Sequence, residues 1–117
     1  MTTGSTPMVR VFTFGEVHVI EIDGSLDHLL SIRLTALLEP LVKRHGTKVL
    51  VDLSLSPTIG SMGYVVLVRS IEMARENGGQ LEFCGLCPTA RMGLQIMGFP
   101  NCDRASASRE EALQRFS

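Results

Sequence analysis

Residues 52–68 read DLSLSPTIGSMGYVVLV. A strand-like apolar run ends near Leu53, a Gly-Ser-Met-Gly step occupies 60–63, and an apolar run with helical spacing begins. Ser61 stands between the two glycines at the mouth of that helix. A hydroxyl in this place suits four roles: a nucleophile, a phosphate cradle, a modification site or a helix cap, the last being worth ~1 kcal/mol.

Working outward, TKVLVDL (47–53) is nearly continuous in apolar residues and rich in Val, as a strand buried on both faces should be. The helix is expected over 61–77, packed through Val65, Val66, Val68 and Ile71, and stopped by Asn77-Gly78-Gly79. QLEFCGL (80–86) reads as a strand. Pro88 opens a further helix that Gly98 closes, and a short extended piece follows around Asn101–Arg104. In SREEALQRFS, Ser108 and Glu111 have the spacing of a capping box. Upstream, MVRVFTF (8–14) and VHVIEID (17–23) alternate around Gly15-Glu16, the pattern of an antiparallel hairpin. Leu30, Leu34, Leu37, Leu38 and Leu41 form a helical stripe expected to end near His45-Gly46, with a kink or an early end at Pro40. The order predicts a single α/β domain over 8–117, with a mixed sheet of four or five strands and three or four helices packed on it. Residues 1–7, polar and closed by Pro7, are expected to be disordered.

At 117 residues and a net charge of -1, the chain suits one soluble domain and offers no basic excess for nucleic acid or anionic lipid. No apolar run is long enough to span a bilayer, and MTTGSTP has neither the basic start nor the apolar stretch of a signal peptide. Three cysteines, an odd number, favour reduced thiols and a cytoplasmic setting.

Enzyme readings fare poorly. A hydrolase elbow needs Gly-x-Ser-x-Gly, but Ile59 takes the first glycine's place, and His18, His28 and His45 all precede Ser61. A phosphate-binding loop would need Gly-Lys-Ser/Thr. CGLCP (84–88) resembles a redox dithiol leaving a strand for a Pro-started helix, with Cys84 equally readable as a small buried hydrophobe. A zinc site would draw on Cys84, Cys87, Cys102 and a histidine without supporting spacing. No metal and no cofactor is expected.

Three blocks in order resemble the STAS domain, and within it the anti-sigma factor antagonists. IDGSLDH (22–28) is similar to the family's Gly-x-Leu-Asp block. KVLVDLSLSPTIGSMG (48–63) resembles its strand followed by Asp-Ser-Ser/Thr-Gly. ENGGQLEFCGLCPTARMGLQIMGF (76–99) resembles its Gly-Gly strand, loop and Leu-x-x-x-Gly-Leu helix. The similarity spans about 8–116. It departs at Gly60, where the family has Asp, at Met62, where it has Ser or Thr, and at Thr58, where a bulky apolar residue is common.

The resemblance implies a non-enzymatic binding protein of a partner-switching pathway that regulates transcription. The unmodified protein captures an anti-sigma factor of the ATP-binding serine kinase type, and ATP and Mg²⁺ belong to that partner. Ser61 falls at the phosphoacceptor position. A phosphate there adds about -1.5 to -2 charges at a helix start that tolerates anions. Gly60, Met62, Gly63 and Tyr64 are expected beside it on the partner surface, Gly63 admitting a partner backbone or merely relieving crowding. Met62 and Tyr64 suit helix-start packing equally well. Asp27 and His28 read as a cap and a solvated histidine, and the family geometry would bring them to the same end of the sheet. The alternatives are a non-switching STAS subunit of a larger signalling or transport assembly, and a thiol-redox protein using Cys84 and Cys87. The oligomeric state is left open.

Overall fold

The structure, a computed structural model, describes residues 8–96 and 108–116. The expected piece around Asn101–Arg104, the helix stop at Gly98 and the N-terminal residues 1–7 lie outside them. In chain order the elements are β1 (Met8–Phe14), β2 (Val17–Asp23), α1 (His28–Val42), β3 (Lys48–Leu55), α2 (Ser61–Glu76), β4 (Gln80–Cys84), α3 (Pro88–Ile96) and α4 (Arg109–Gln114). The strands form one mixed sheet in the order β1-β2-β3-β4, with β1 antiparallel to β2 and the other pairs parallel. This is the predicted α/β class, with four strands and four helices among the described residues.

Alternation and helical period explain the layers. On one face Ile20, Ile22, Val49, Val51 and Leu53 meet the Leu stripe of α1 and the apolar sides of α2 and α3. On the other, Val17, Val19, Leu50 and Cys84 meet Ala112 and Phe116 at α4. β2 and β3 are therefore buried on both faces, as the Val-rich run of β3 requires. β1 lies at the edge, and only Val9 of its apolar residues is half covered.

Three local expectations change. α1 runs through Pro40 and ends at Val42, short of His45-Gly46. Pro40 thus sits in the last turn, where losing one backbone donor disturbs little of the ladder. β4 stops at Cys84 because Gly85 adopts φ +73, a left-handed step that no strand continues. In α2 the buried stripe is Gly63, Val66, Leu67, Ser70 and Ala74, while Val68 and Ile71 are half-buried and Val65 is exposed. Val65 was expected inside. The inward side turns by 100° per residue, and once Gly63 packs inward on Leu26 and Ile59, 66, 67, 70 and 74 follow it.

The ends of α1 and α2 are tied by one side chain. Asn77, the residue that caps α2, donates through Nδ2 to Met73 O at 2.8 Å and to Val42 O at 3.2 Å.

Candidate functional site around Ser61

β2 and β3 run parallel, so the loops leaving them emerge at one end of the sheet. An isolated parallel bridge, Leu26 with Ile59, stitches these loops together. Leu26 N–H donates to Thr58 O and Gly60 N–H to Leu26 O, both at 2.9 Å. The Thr58 hydroxyl donates to Ser25 Oγ at 2.8 Å, a polar use for a position that is commonly apolar in the resembling family. The first two sequence blocks are thereby brought together, and Asp27 and Ser61 begin neighbouring helices.

The two helix starts differ. Asp27 is the N-cap of α1, and its carboxylate accepts from Leu30 N–H at 3.0 Å. His28 follows it, exposed, as expected of a solvated histidine. Gly60 is the N-cap of α2, in extended backbone, and no side chain caps the helix. Ser61 is therefore not the cap that its sequence position suggested; it is the first helical residue, and it is exposed. The open first turn carries the partial positive charge of the helix with no side chain upon it. A Cβ built on Gly60 would meet only Leu26 O, at an ordinary 3.5 Å. Gly60→Asp should accordingly supply the missing cap and stabilise the fold by about 0.5–1 kcal/mol. Paired urea titrations of the two proteins measure this.

The remaining expected surface residues divide. Met62 is exposed. Gly63 is buried, and a Cβ there would press on Ile59 Cγ2 at 2.8 Å and Leu26 Cγ at 2.9 Å. It lets α2 seat against the bridge between the two loops, so its expected place beside an approaching partner backbone gives way to packing. Tyr64 is half-buried and lies over Gly93 of α3, where an added Cβ would come within 2.5 Å of the Tyr64 hydroxyl oxygen. Burial, with a smaller contribution from Cys87, raises the Tyr64 hydroxyl above its ordinary pKa.

Past Met62 the surface opens into a groove of ≈ 520 Å³ between α1 and α2, lined by Ile32, Thr35, Met62, Val65, Arg69 and Met73 among others. Ile32, Met62 and Val65 are exposed apolar side chains along it. Sequence reasoning missed this groove. Its only signal was Ile32, an apolar residue off the Leu stripe of α1.

The thiols do not form a dithiol centre. Cys84 is fully buried, and burial, then the neighbouring Asp52 carboxylate, pushes its thiol up to about 12. A thiol in that state keeps its proton at neutral pH and is a poor nucleophile. Cys87, half-buried, places Sγ 3.6 Å from Pro57 O. Among the described residues no group of three His, Cys, Asp or Glu side chains could hold a metal ion. In a Cys102→Ser background, an aromatic disulfide reagent should modify Cys87 first and Cys84 only as the protein unfolds. The time course of released thiolate separates the two phases.

A charged cluster on the opposite face was also missed. Asp52, in the middle of β3, is buried and accepts from Ser54 N–H at 3.0 Å, Ser54 Oγ at 2.5 Å and Arg109 Nε at 3.0 Å. Arg109 also pairs with Glu21, and Glu21 with Arg10 at 2.5 Å. Burial alone would raise the Asp52 carboxyl, but the bonds from Ser54, Arg109 and Cys84 together hold it below its usual value. The visible trace was a lone Asp inside VLVDL and an Arg directly after the Ser108 cap.

A sequence model of the STAS domain matches residues 9–112. No curated protein matches the sequence. Among solved structures, an anti-sigma factor antagonist from Mycobacterium paratuberculosis superposes with a TM-score of 0.78 at 18% identity, covering 98% of this chain and 97% of that one. The phosphorylated form of the Bacillus cell fate determinant SpoIIAA gives 0.73 at 18% identity, over 94% of this chain and 100% of the other. RsbS from Moorella thermoacetica gives 0.75 at 21%, over 92% of each. At these identities the likeness is one of fold. With the family model spanning nearly the whole described chain and with the sheet order, bridged loops and helix starts in place, the chain belongs to the STAS domain family.

Proposed function

We propose that this chain is a non-enzymatic anti-sigma factor antagonist that captures an anti-sigma factor of the ATP-binding serine kinase type, and that phosphorylation of Ser61 releases it. The observation that supports this reading is the place of Ser61: exposed, on an uncapped helix start, one residue before the apolar groove of Ile32, Met62 and Val65. Apolar surface rimmed by polar groups is what a protein partner buries. A phosphate at the edge of it brings charge and bulk into the interface while the helix start tolerates the anion. The likeness to SpoIIAA, whose structure is known in a phosphorylated form, gives the reading its precedent. In the proposed surface Gly60, Met62, Asp27 and His28 surround Ser61, and Gly63 and Tyr64 support it from beneath. This reading places the protein in the cytoplasm, with its kinase partner; no helix among the described residues is long and apolar enough to cross a membrane.

The test is a pull-down from native cell extract with and without ATP, followed by titration of the captured kinase against variants. Ser61→Ala should bind as wild type does, since no cap bond is lost. Ser61→Glu should weaken binding by roughly tenfold or more, about 1.4 kcal/mol. A phosphorylation time course on wild type and Gly60→Asp runs alongside. Equal affinity of Ser61→Glu, with no modification of either protein, would leave a STAS module that does not switch.

A further inference from the structure

We propose that β1 pairs with β1 of a second copy of this chain, antiparallel about a two-fold axis at Val11, so that one sheet runs through a dimer. Among the described residues β1 is an edge strand and no strand pairs with its outer side. It carries none of the usual guards of such an edge: no Pro, no Gly and no Lys interrupt MVRVFTF. Its one charge, Arg10, is engaged by Glu21 and Asp23 on the neighbouring strand.

The hairpin fixes which backbone groups face outward. Phe14 and Val17 flank the two-residue turn Gly15-Glu16, in which Gly15 has φ +61 and Glu16 has no positive φ, the type II′ pattern. Residues that flank a two-residue turn exchange hydrogen bonds, and the pairing then alternates along the ladder. Phe14, Phe12, Arg10 and Met8 therefore bond to β2. Thr13, Val11 and Val9 direct their N–H and C=O groups away from it. An antiparallel copy centred on Val11 sets Val11 opposite its own equivalent and Val9 opposite Thr13. All three outward positions are satisfied at once, with about six backbone hydrogen bonds.

The side chains fit the same register. Met8, Arg10, Phe12 and Phe14 share the α4 face, where Arg109 stands 5.1 Å from the centre of the Phe12 ring. A hollow of ≈ 480 Å³ between Phe12, Phe14, Arg109 and Leu113 opens beside the strand. The two-fold sets Met8 of the second copy opposite Phe14, at the mouth of that hollow. No like charges face each other, since Arg10 falls opposite Phe12. The partner is thus a second copy because the edge is complementary to itself in backbone and in apolar size, and Arg10 is already paired within its own chain.

Sedimentation equilibrium over a range of concentrations should show the full chain dimerising. Val11→Pro removes an N–H that the chain's own hairpin does not use, and should weaken dimerisation roughly thirtyfold or more. Val11→Lys puts like charges on the axis and should act in the same direction. Circular dichroism and melting confirm that each variant is folded; if Val11→Pro is not, Val11→Lys decides. In wild type, amide exchange at Val9, Val11 and Thr13 should slow as concentration rises. A wild type that stays monomeric overturns the proposal. So does a dimer that both variants leave unchanged while those amides exchange freely. β1 contains none of the residues around Ser61, so either proposal can fail without the other.

Discussion

Replacing Arg109 by methionine should lower the unfolding free energy by roughly 2–4 kcal/mol, although Arg109 lies far along the chain from the core strands it serves. Its guanidinium spans Asp52 and Glu21, whose side chains are 4% and 15% exposed. Removing one partner of a buried pair costs about 3–5 kcal/mol, because the other charge is left without compensation. Asp52 keeps its two bonds from Ser54, which places the expectation toward the lower end. Methionine preserves an apolar stem over Phe12, so the loss reports charge more than packing. The exposed pair of Lys43 and Glu39 supplies the contrast: Lys43→Met should leave the unfolding midpoint essentially unchanged. The pH profile carries a second signature. Asp52 has a depressed folded pKa, so its stabilising contribution is complete above the unfolded value of about 3.9 and is lost as pH falls through the folded value. In Arg109→Met the depression shrinks, and the acid limb should flatten. Urea unfolding at a series of pH values from neutral to acid measures both effects. An unchanged midpoint and an unchanged acid limb would show that the cluster contributes nothing net.

Gly85→Ala should be the more damaging substitution, with a loss of about 3 kcal/mol or more and a melting temperature lower by roughly 12 °C or more. Two costs combine. The residue has φ +73, a conformation that costs an L side chain about 1–2 kcal/mol. A Cβ would also lie 2.6 Å from the Cα and N of Ser54, which are backbone atoms of β3 and cannot swing aside. Ser54 is the residue that donates twice to Asp52, so its displacement also loosens the charged cluster. Gly15→Ala is the internal comparison: its φ is +61 but nothing lies within 4 Å of the added carbon, so it should show the conformational cost alone. Thermal melts of the two variants separate strain from collision, and equal losses would refute the steric account.

Gly85 also illustrates how far the sequence could be read. Cys-Gly-Leu-Cys before a proline has the form of a dithiol motif, and nothing in the string distinguishes that from a close approach of the chain leaving β4 to the backbone of β3. Contact with Ser54 does, together with a fully buried Cys84 whose thiol is pushed up to about 12.

What the sequence determined by itself was the set of elements and their class. Strand and helix periods are local, and Asn77-Gly78, Asp27 and Ser108 punctuate them through backbone chemistry within a few residues. The place of Ser61 at the start of α2 was legible for the same reason. Only the tertiary structure decided what depends on residues distant in the chain. It put the cap at Gly60 and left Ser61 free, turned Gly63 inward onto Leu26, and exposed Val65 in favour of Leu67. It joined Arg109 to Asp52 across 57 positions, and it set α1 beside α2 to open a groove next to Ser61. A helix's period fixes which residues share a side, but only packing against strands brought from elsewhere decides which side faces in.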